Sequence, residues 1–198
     1  QGVVDVDPSS SLFLLSSVGQ QDIFITKVSA SGQLIWAKQI GGAGNESGNS
    51  ICIHANGNIS ITGFYHGMVD FDPGIGIHTL IAASSFSQDI FILTLNTNGS
   101  FLWAKVIGGS GYLDTFGNLH DAVSHGYSIT SNTNGDILVT GSFLGSIDFD
   151  PGATNYMLSA TNTPHIFILK LNANGSFVWA KKFGNNKVDI QKTFVNGK

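Results

Sequence analysis

The sequence predicts an all-β protein built from β-propeller blades, and three observations carry this prediction. Segments repeat along the 198-residue chain, Asn-Gly pairs separate short apolar runs, and no stretch shows a sustained helical period. Asn-Gly between apolar runs is a strong hairpin signal, on the expectation that both residues tolerate a positive φ. These pairs lie at Asn56-Gly57, Asn98-Gly99, Asn134-Gly135 and Asn174-Gly175, and Ser31-Gly32 takes the same place in the first copy.

The repeats stay in register over long segments. Trp-Ala-Lys begins at Trp36 and recurs at Trp103 and Trp179, at offsets of 67 and then 76 residues. The same offsets relate three copies of Ile-Phe-Ile, which begin at residues 23, 90 and 166. Residues 48–74 also align with residues 126–152 at a constant offset of 78, without a gap. Agreement over so many positions indicates copies of one structural unit.

The apolar pattern of the strands favours propeller blades over a sandwich. Residues 23–25 and 101–103 are apolar at consecutive positions, so both faces of these strands are expected to be covered. Blades pack face to face around an axis, whereas a sandwich sheet exposes one face and tends to alternate. Two hairpins per unit supply the four strands of a blade. The predicted organisation is a partial blade, two blades and the start of another, at 1–42, 43–109, 110–185 and 186–198, with Asp189–Val195 as the first strand of the last.

The length of the unit predicts an addition to each blade. The offsets exceed the roughly 40–50 residues of common blades, and the surplus lies in Met68–Ser87 and Ser146–Pro164. An extra hairpin or a long loop is expected at each place. About two and a half blades are fewer than the roughly 4–8 of a closed propeller. We therefore expect further blades in the same chain, with this chain as a fragment, or a homo-oligomer that completes the ring.

Composition excludes several partners. Only 11% of the residues are charged, the net charge is −4 and no arginine occurs, which argues against nucleic acid and an anionic membrane surface. No apolar run is long enough for a membrane helix, so we expect no membrane insertion. The single cysteine, Cys52, rules out an intramolecular disulfide and is expected to be a small buried hydrophobe.

The order of motifs in each unit resembles a known repeat. The pattern is Ser-Ile, Asn-Gly, Val-Thr-Gly, Asp-Phe-Asp-Pro-Gly, Asp-Ile-Phe, Trp-Ala-Lys and Gly-Gly, and it is similar to the bacterial SBBP-type β-propeller repeat over residues 2–185. The resemblance implies a bacterial protein that is secreted or held at the cell surface. It implies no fixed catalytic residues, so none are transferred. The expected function is a non-catalytic module that acts in ligand or protein interaction, or as a scaffold.

The repeated Asp-x-Asp-Pro motif is the first candidate site. Carboxylates two residues apart on an extended strand point to one side and supply the oxygen ligands that Ca²⁺ prefers. A type II turn is the alternative, with positive φ at Gly74 and Gly152 and the second aspartate accepting a backbone N–H. The motif occurs first at Asp5 and Asp7, and the candidate calcium ligands are Asp70, Asp72, Asp148 and Asp150.

An insertion before the second full blade is the other candidate. The connection that spans 7 residues at 43–49 spans 18 residues at 110–127. Insertions in repeat proteins tend to mark binding faces, so this loop is a candidate binding loop. Its histidines and aspartates suit Zn²⁺, although a polar surface loop explains them equally well. The residues concerned are Asp114, His120, Asp121 and His125.

The remaining motifs predict structure more than chemistry. A tryptophan repeated in every blade is expected to pack between blades rather than to stack on sugar. The pairs Gly41-Gly42 and Gly108-Gly109 are expected to be turns, because no helix follows them. No hydrolase motif occurs, so we predict no enzyme and no required cofactor, with calcium as the one candidate ion. The alternative function is a carbohydrate-binding or polysaccharide-processing protein, stabilised by calcium or not.

Overall fold

A computed structural model describes residues 2–84, 86–114 and 116–184, and within these ranges the chain forms strands and turns without a helix. Every ladder between the strands is antiparallel. This confirms the predicted all-β fold class. The strand expected at Asp189–Val195 lies outside the described residues. The strands are β1 (Val3–Asp5), β2 (Leu14–Ser16), β3 (Ile23–Val28), β4 (Leu34–Gly42), β5 (Ser47–Ile53), β6 (Ile59–Tyr65), β7 (Met68–Asp70), β8 (Thr79–Ile81), β9 (Asp89–Leu95), β10 (Phe101–Ser110), β11 (Tyr112–Leu113), β12 (Leu119–His120), β13 (Val123–Ser131), β14 (Ile137–Asp148), β15 (Met157–Leu171) and β16 (Phe177–Phe183).

The strands group into blades of antiparallel four-stranded sheets. The second blade has the order β5-β6-β9-β10, and the third has the order β13-β14-β15-β16. The first blade contributes only its last two strands, β3 and β4, to the described part of the chain. Register agrees between copies, since Ile23 pairs with Ile40 just as Ile90 pairs with Ile107.

The hairpins lie where the Asn-Gly pairs predict them, but the expected turn geometry is wrong in one respect. Only the glycine adopts a positive φ, as at Gly57 (83°) and Gly99 (75°). Its N–H donates to the carbonyl three residues earlier, as from Gly57 to His54 over 2.9 Å. This pattern is typical of a type I turn followed by a left-handed glycine, which needs only one residue at positive φ.

The surplus residues form an extra hairpin on each blade, and that hairpin joins the blade before it. Strands β7 and β8 pair with each other, and β7 also pairs with the end of β4 through Asp70 and Gly41. In the third blade, β14 and β15 run on beyond the blade to form the same hairpin. There Asp148 pairs with Gly108 of β10. Main-chain hydrogen bonds therefore connect successive blades.

The glycine pairs are strand ends rather than the turns that the sequence predicts. A Cβ on Gly108 would lie 2.1 Å from Oδ2 of Asp89, the first residue of β9. A Cβ on Gly109 would lie 2.0 Å from the carbonyl oxygen of Ser146 in the extra hairpin. The two glycines are needed because a carboxylate packs on one and a neighbouring backbone on the other.

Two hydrophobic clusters fill the spaces between blades. One joins the first and second blades, and its members include Ile23, Ile25, Phe91 and Leu93. The other joins the second and third blades through residues such as Ile90, Ile92, Phe167 and Leu169. Trp36 packs against the first cluster and Trp103 against the second, which confirms the packing prediction for these two tryptophans.

Cys52 is only half-buried and packs at the margin of the second cluster.

Candidate functional site

The first aspartate of each Asp-x-Asp-Pro motif closes the loop of the extra hairpin. Asp70 Oδ1 accepts the backbone N–H groups of Asp72 (3.0 Å) and His78 (2.8 Å). Asp148 Oδ1 accepts those of Asp150 (3.0 Å) and Tyr156 (2.8 Å) in the same way. One carboxylate oxygen therefore ties the two ends of the loop together in each copy.

The second aspartate makes the turn, and the expected type II geometry is wrong. Asp72 Oδ1 accepts the N–H of Gly74 over 2.8 Å, and Asp150 Oδ1 accepts that of Gly152 over 2.8 Å. Neither glycine has a positive φ. The part of the prediction in which the aspartate accepts a backbone N–H is confirmed. The side-chain acceptor holds the turn, so no left-handed glycine is required.

Several carboxylate oxygens of the motif that a cation would need already accept hydrogen bonds. Oδ1 of each of these aspartates already accepts a backbone N–H, and Thr154 Oγ1 donates to Asp150 Oδ2. No group of three or more His, Cys, Asp or Glu side chains placed to hold a metal ion occurs in the described residues. Calcium usually takes about 6–8 oxygens, so main-chain carbonyls would have to complete its shell. Calcium at this motif stays a prediction.

The insertion at 110–127 contains a short hairpin, β11 and β12, that Asp114 holds together. Asp114 Oδ1 accepts the N–H groups of Phe116 (2.8 Å) and Asn118 (2.9 Å). Its Oδ2 lies 3.0 Å from His120 Nε2, and the His120 ring stacks on Tyr112 with centroids 5.2 Å apart. Hydrogen bonds from His120 and Asn118 hold the pKa of Asp114 well below its usual range. We name β11, β12 and the turn between them the insertion hairpin.

The other two candidate residues have separate partners. Asp121 Oδ1 accepts the hydroxyl of Ser84 over 2.7 Å, which ties the base of the insertion to the loop before β9. His125 contacts Gln88 and Tyr127, and its ring lies 4.4 Å from that of Phe64. Burial lowers the pKa of His125. The structure thus brings Asp114 and His120 together and gives Asp121 and His125 other partners.

The apolar end of the insertion hairpin was not predicted from the sequence. Leu113, Phe116 and Leu119 are 61%, 89% and 77% exposed, and Leu113 pairs with Leu119 across the ladder. We call these three residues the tip patch. Phe86, on the loop tied to the insertion through Ser84, is also exposed. The available signal was the placement of large apolar residues inside a loop that also contains three glycines and two aspartates.

The burial of two acidic residues, Asp89 and Glu46, was also not predicted from the sequence. Asp89 is 1% exposed, accepts the N–H of Ala83 through Oδ2 over 2.8 Å, and has no partner for Oδ1 in the described chain. Burial raises its pKa to about 6. Glu46 accepts the N–H of Gly42 over 2.9 Å, and burial raises its pKa as well. Both acids lie beside the glycine pairs, where blades meet.

Comparison with known proteins supports the propeller interpretation. No family model matches the chain. An uncharacterised WD repeat-containing protein of Acanthamoeba polyphaga mimivirus is 26% identical over 189 aligned residues, which cover 84% of this chain. The chain spans only 13% of that relative's length. This similarity supports a β-propeller type of repeat, while the bacterial SBBP-type assignment stays an interpretation of the motifs.

Among the residues that the structure describes, none belongs to a helix that is long and apolar enough to cross a bilayer.

Proposed function

We propose that this chain is a non-catalytic repeat module that binds other proteins and uses the insertion hairpin as its contact element. The observation that carries the proposal is the tip patch, in which three large apolar side chains face solvent together. Single exposed apolar residues are ordinary, but contiguous ones mark interaction sites. The similarity to a WD repeat protein supports a repeat-based interaction role.

The hairpin is suited to present this patch because its own contacts hold it in one shape. Asp114 fixes the turn, and the stacked rings of Tyr112 and His120 cover one side of the ladder. A pre-ordered loop loses little conformational entropy on binding. An exposed aromatic such as Phe116 is the kind of anchor that carries much of the energy in an interface.

The carbohydrate alternative has less support. It relied on tryptophans as stacking platforms, and Trp36 and Trp103 pack against the clusters between blades. The location that goes with the proposal is extracellular or at the cell surface, as the repeat resemblance implies. Fractionation of cells that express the tagged protein tests it, since recovery only from the cytosol contradicts this part of the proposal.

The experiment compares two apolar residues that are both strongly exposed to solvent, Phe116 and Ile75. Partners are captured by cross-linking to the wild-type chain, identified by mass spectrometry, purified and titrated against each variant. Phe116→Ser is expected to weaken binding at least tenfold, a loss of about 1.4 kcal/mol or more. Ile75→Ser, at a fully exposed position on the β7–β8 loop, is the matched control and is expected to bind as wild type.

Two results contradict the proposal. One is a partner that binds both variants as tightly as the wild-type chain. The other is turnover of a glycan or peptide that a single Asp or His substitution abolishes, since that makes the chain an enzyme.

A further inference from the structure

A cavity of about 270 Å³ lies where the second blade meets the extra hairpin of the third blade. Its wall is formed by the end of β8, the start of β9, the end of β10 and the Asp-x-Asp-Pro turn that follows β14. All of its described lining residues fall between positions 81 and 152, in the interior of the chain. We call this space the junction cavity.

The junction cavity is lined in part by a buried carboxylate that lacks a partner. Asp89 is 1% exposed, and its Oδ1 accepts no hydrogen bond within the described chain. A Cβ on Gly108, another lining residue, would lie 2.9 Å from this oxygen. The hydroxyl of the neighbouring Ser87 donates to the carbonyl of Ser84 over 3.1 Å. A buried carboxylate oxygen without a donor is costly, so a group that supplies one would be stabilised here.

The first unit of the chain shows how such a carboxylate is completed. Asp22 is the equivalent of Asp89, 67 positions earlier. Gln39 Nε2 donates to Asp22 Oδ2 over 2.7 Å and to the carbonyl of Ser16 over 2.7 Å. A side-chain NH₂ group thus bridges a carboxylate and a main-chain carbonyl of the extra hairpin.

In the second unit the bridging side chain is missing. Val106 takes the position of Gln39, at the same offset of 67 residues. Ile81 takes the position of Ser16 in the register of the extra hairpin. Asp89, Val106 and Ile81 all line the junction cavity. The space beside Asp89 therefore corresponds to the space that a carboxamide fills in the first unit.

The lining also favours a positively charged ligand. Asp89, Asp148 and Asp150 belong to it, and no lysine, arginine or histidine is among its described residues. Burial raises the pKa of Asp89 to about 6, so this carboxylate is mainly ionised at about pH 7.5. A cation that donates hydrogen bonds matches these groups, because charge-assisted hydrogen bonds are the stronger kind.

The rest of the wall favours an organic cation over a metal ion. Ile81, Val106 and Pro151 make part of the lining apolar. Such a wall suits a hydrocarbon stem, whereas Ca²⁺ usually takes about 6–8 oxygens. Within the described ranges, no three acidic, histidine or cysteine side chains are placed to share a metal ion. An alkylammonium group combines the stem with the N–H donors that Gln39 supplies in the first unit.

We propose that the junction cavity binds a primary alkylammonium group, with the ammonium donating to Asp89 and the hydrocarbon stem lying against Val106. The ammonium belongs to a small free amine or to a lysine side chain of another protein, and the chemistry of recognition is the same for both. The cavity is separate from the tip patch. The proposal does not rest on the function proposed above.

The test is a nuclear magnetic resonance titration of the isotope-labelled chain with n-butylammonium chloride at about pH 7.5. The amide signals of Gly108 and Gly109 are expected to shift, with a Kd on the order of 1 mM, as a ligand of about five non-hydrogen atoms allows. n-Butanol has the same size without the charge and is expected to bind at least tenfold more weakly.

A further titration distinguishes the two sources of the ammonium. It uses lysine with an acetylated α-amino group and an amidated carboxyl group, which presents the ammonium as a protein side chain does. Binding as tight as that of n-butylammonium assigns the cavity to lysine side chains. Binding of n-butylammonium alone assigns it to small free amines.

Two variants remove the site in different ways. Asp89→Asn removes the charge and is expected to weaken binding of n-butylammonium at least tenfold. Val106→Gln restores the carboxamide of the first unit, so it is expected to fill the cavity and abolish binding. Ile75→Gln introduces the same residue at a fully exposed position outside the lining and is expected to bind as wild type. Far-ultraviolet circular dichroism checks that every variant is folded.

Three results overturn the proposal. One is the absence of any shift at Gly108 and Gly109 up to about fifty times the expected Kd. Another is equal binding of n-butylammonium and n-butanol, and the third is equal binding by the wild-type chain and Val106→Gln. Failure here leaves partner binding through Phe116 untouched, so this proposal and the preceding one fail separately.

Discussion

The first and second blades contain the same Ile-Phe-Ile strand, yet the strands have different surroundings. Phe91 in the second blade is fully buried, whereas Phe24 in the first blade is 53% exposed. The local sequence is the same, and the difference is that the second blade packs against another blade on each side. In a repeat protein the energy of a residue is therefore set by its neighbouring repeats as much as by its own unit.

The largest effect that tests this comparison is truncation of the two phenylalanines. Phe91→Ala removes a fully buried ring and is expected to lower the free energy of unfolding by about 3–5 kcal/mol. Phe24→Ala, in the matched strand, is expected to cost below about 1 kcal/mol. Urea denaturation of both variants measures the difference. Equal losses would mean that the first blade is already covered in solution.

The second test uses Asp89, the acid at the first position of the second-blade strand that contains Phe91. Burial raises the pKa of Asp89 to about 6, so the folded protein binds this proton more tightly than the unfolded chain does. The stabilising contribution is present below the unfolded pKa of about 4 and is lost as pH rises through about 6. Between about pH 4 and pH 7, the free energy of unfolding of the wild-type chain is expected to fall, relative to that of Asp89→Asn, by on the order of 2–3 kcal/mol.

Urea denaturation at several pH values, with both proteins in the same buffers, measures this slope. Phe24→Ala serves as a control that keeps Asp89, and its pH profile is expected to run parallel to that of the wild-type chain. Identical profiles for the wild-type chain and Asp89→Asn would show that water reaches this carboxylate.

The third test concerns calcium at the extra hairpins, which occur in all three copies of the unit. If the motif binds calcium, a hundredfold excess over Kd stabilises the fold by about 2.7 kcal/mol. Thermal melts in EDTA and in calcium measure this, and the gain is expected to disappear when Asp5→Asn, Asp70→Asn and Asp148→Asn are combined, so that the motif is altered in every copy. Equal melting temperatures in both buffers would leave the motif as a turn whose aspartates serve only backbone N–H groups.

The fold was predictable because repetition gives the same evidence several times. Three Ile-Phe-Ile strands, their Trp-Ala-Lys partners and the Asn-Gly turns establish paired strands and buried faces without any knowledge of long-range contacts. The surplus between Met68 and Ser87 was also sufficient to predict an extra hairpin or a long loop, and the structure shows that it is a hairpin.

What escaped prediction depends on atoms from distant parts of the chain. Gly109 is a glycine because the backbone of Ser146, 37 positions later, lies against it. The burial of Asp89 depends on packing between strands, and Phe116 is exposed because no strand among the described residues covers it. The turn at Asp72 was predicted wrongly for another reason. The Asp72 side chain accepts the N–H of Gly74 and holds the turn, so Gly74 does not need the left-handed conformation that the sequence pattern suggests.

The pairing of β14 with β10 has a consequence for how the molecule resists force. Strand β14 lies in the sheet of the third blade, and its far end also pairs with the second blade through Asp148 and Gly108. A single strand is therefore hydrogen-bonded to strands of both blades and crosses the boundary between them. Tension applied to one blade is transmitted across the boundary by main-chain hydrogen bonds as well as by side-chain contact, so neighbouring blades should yield together in one step.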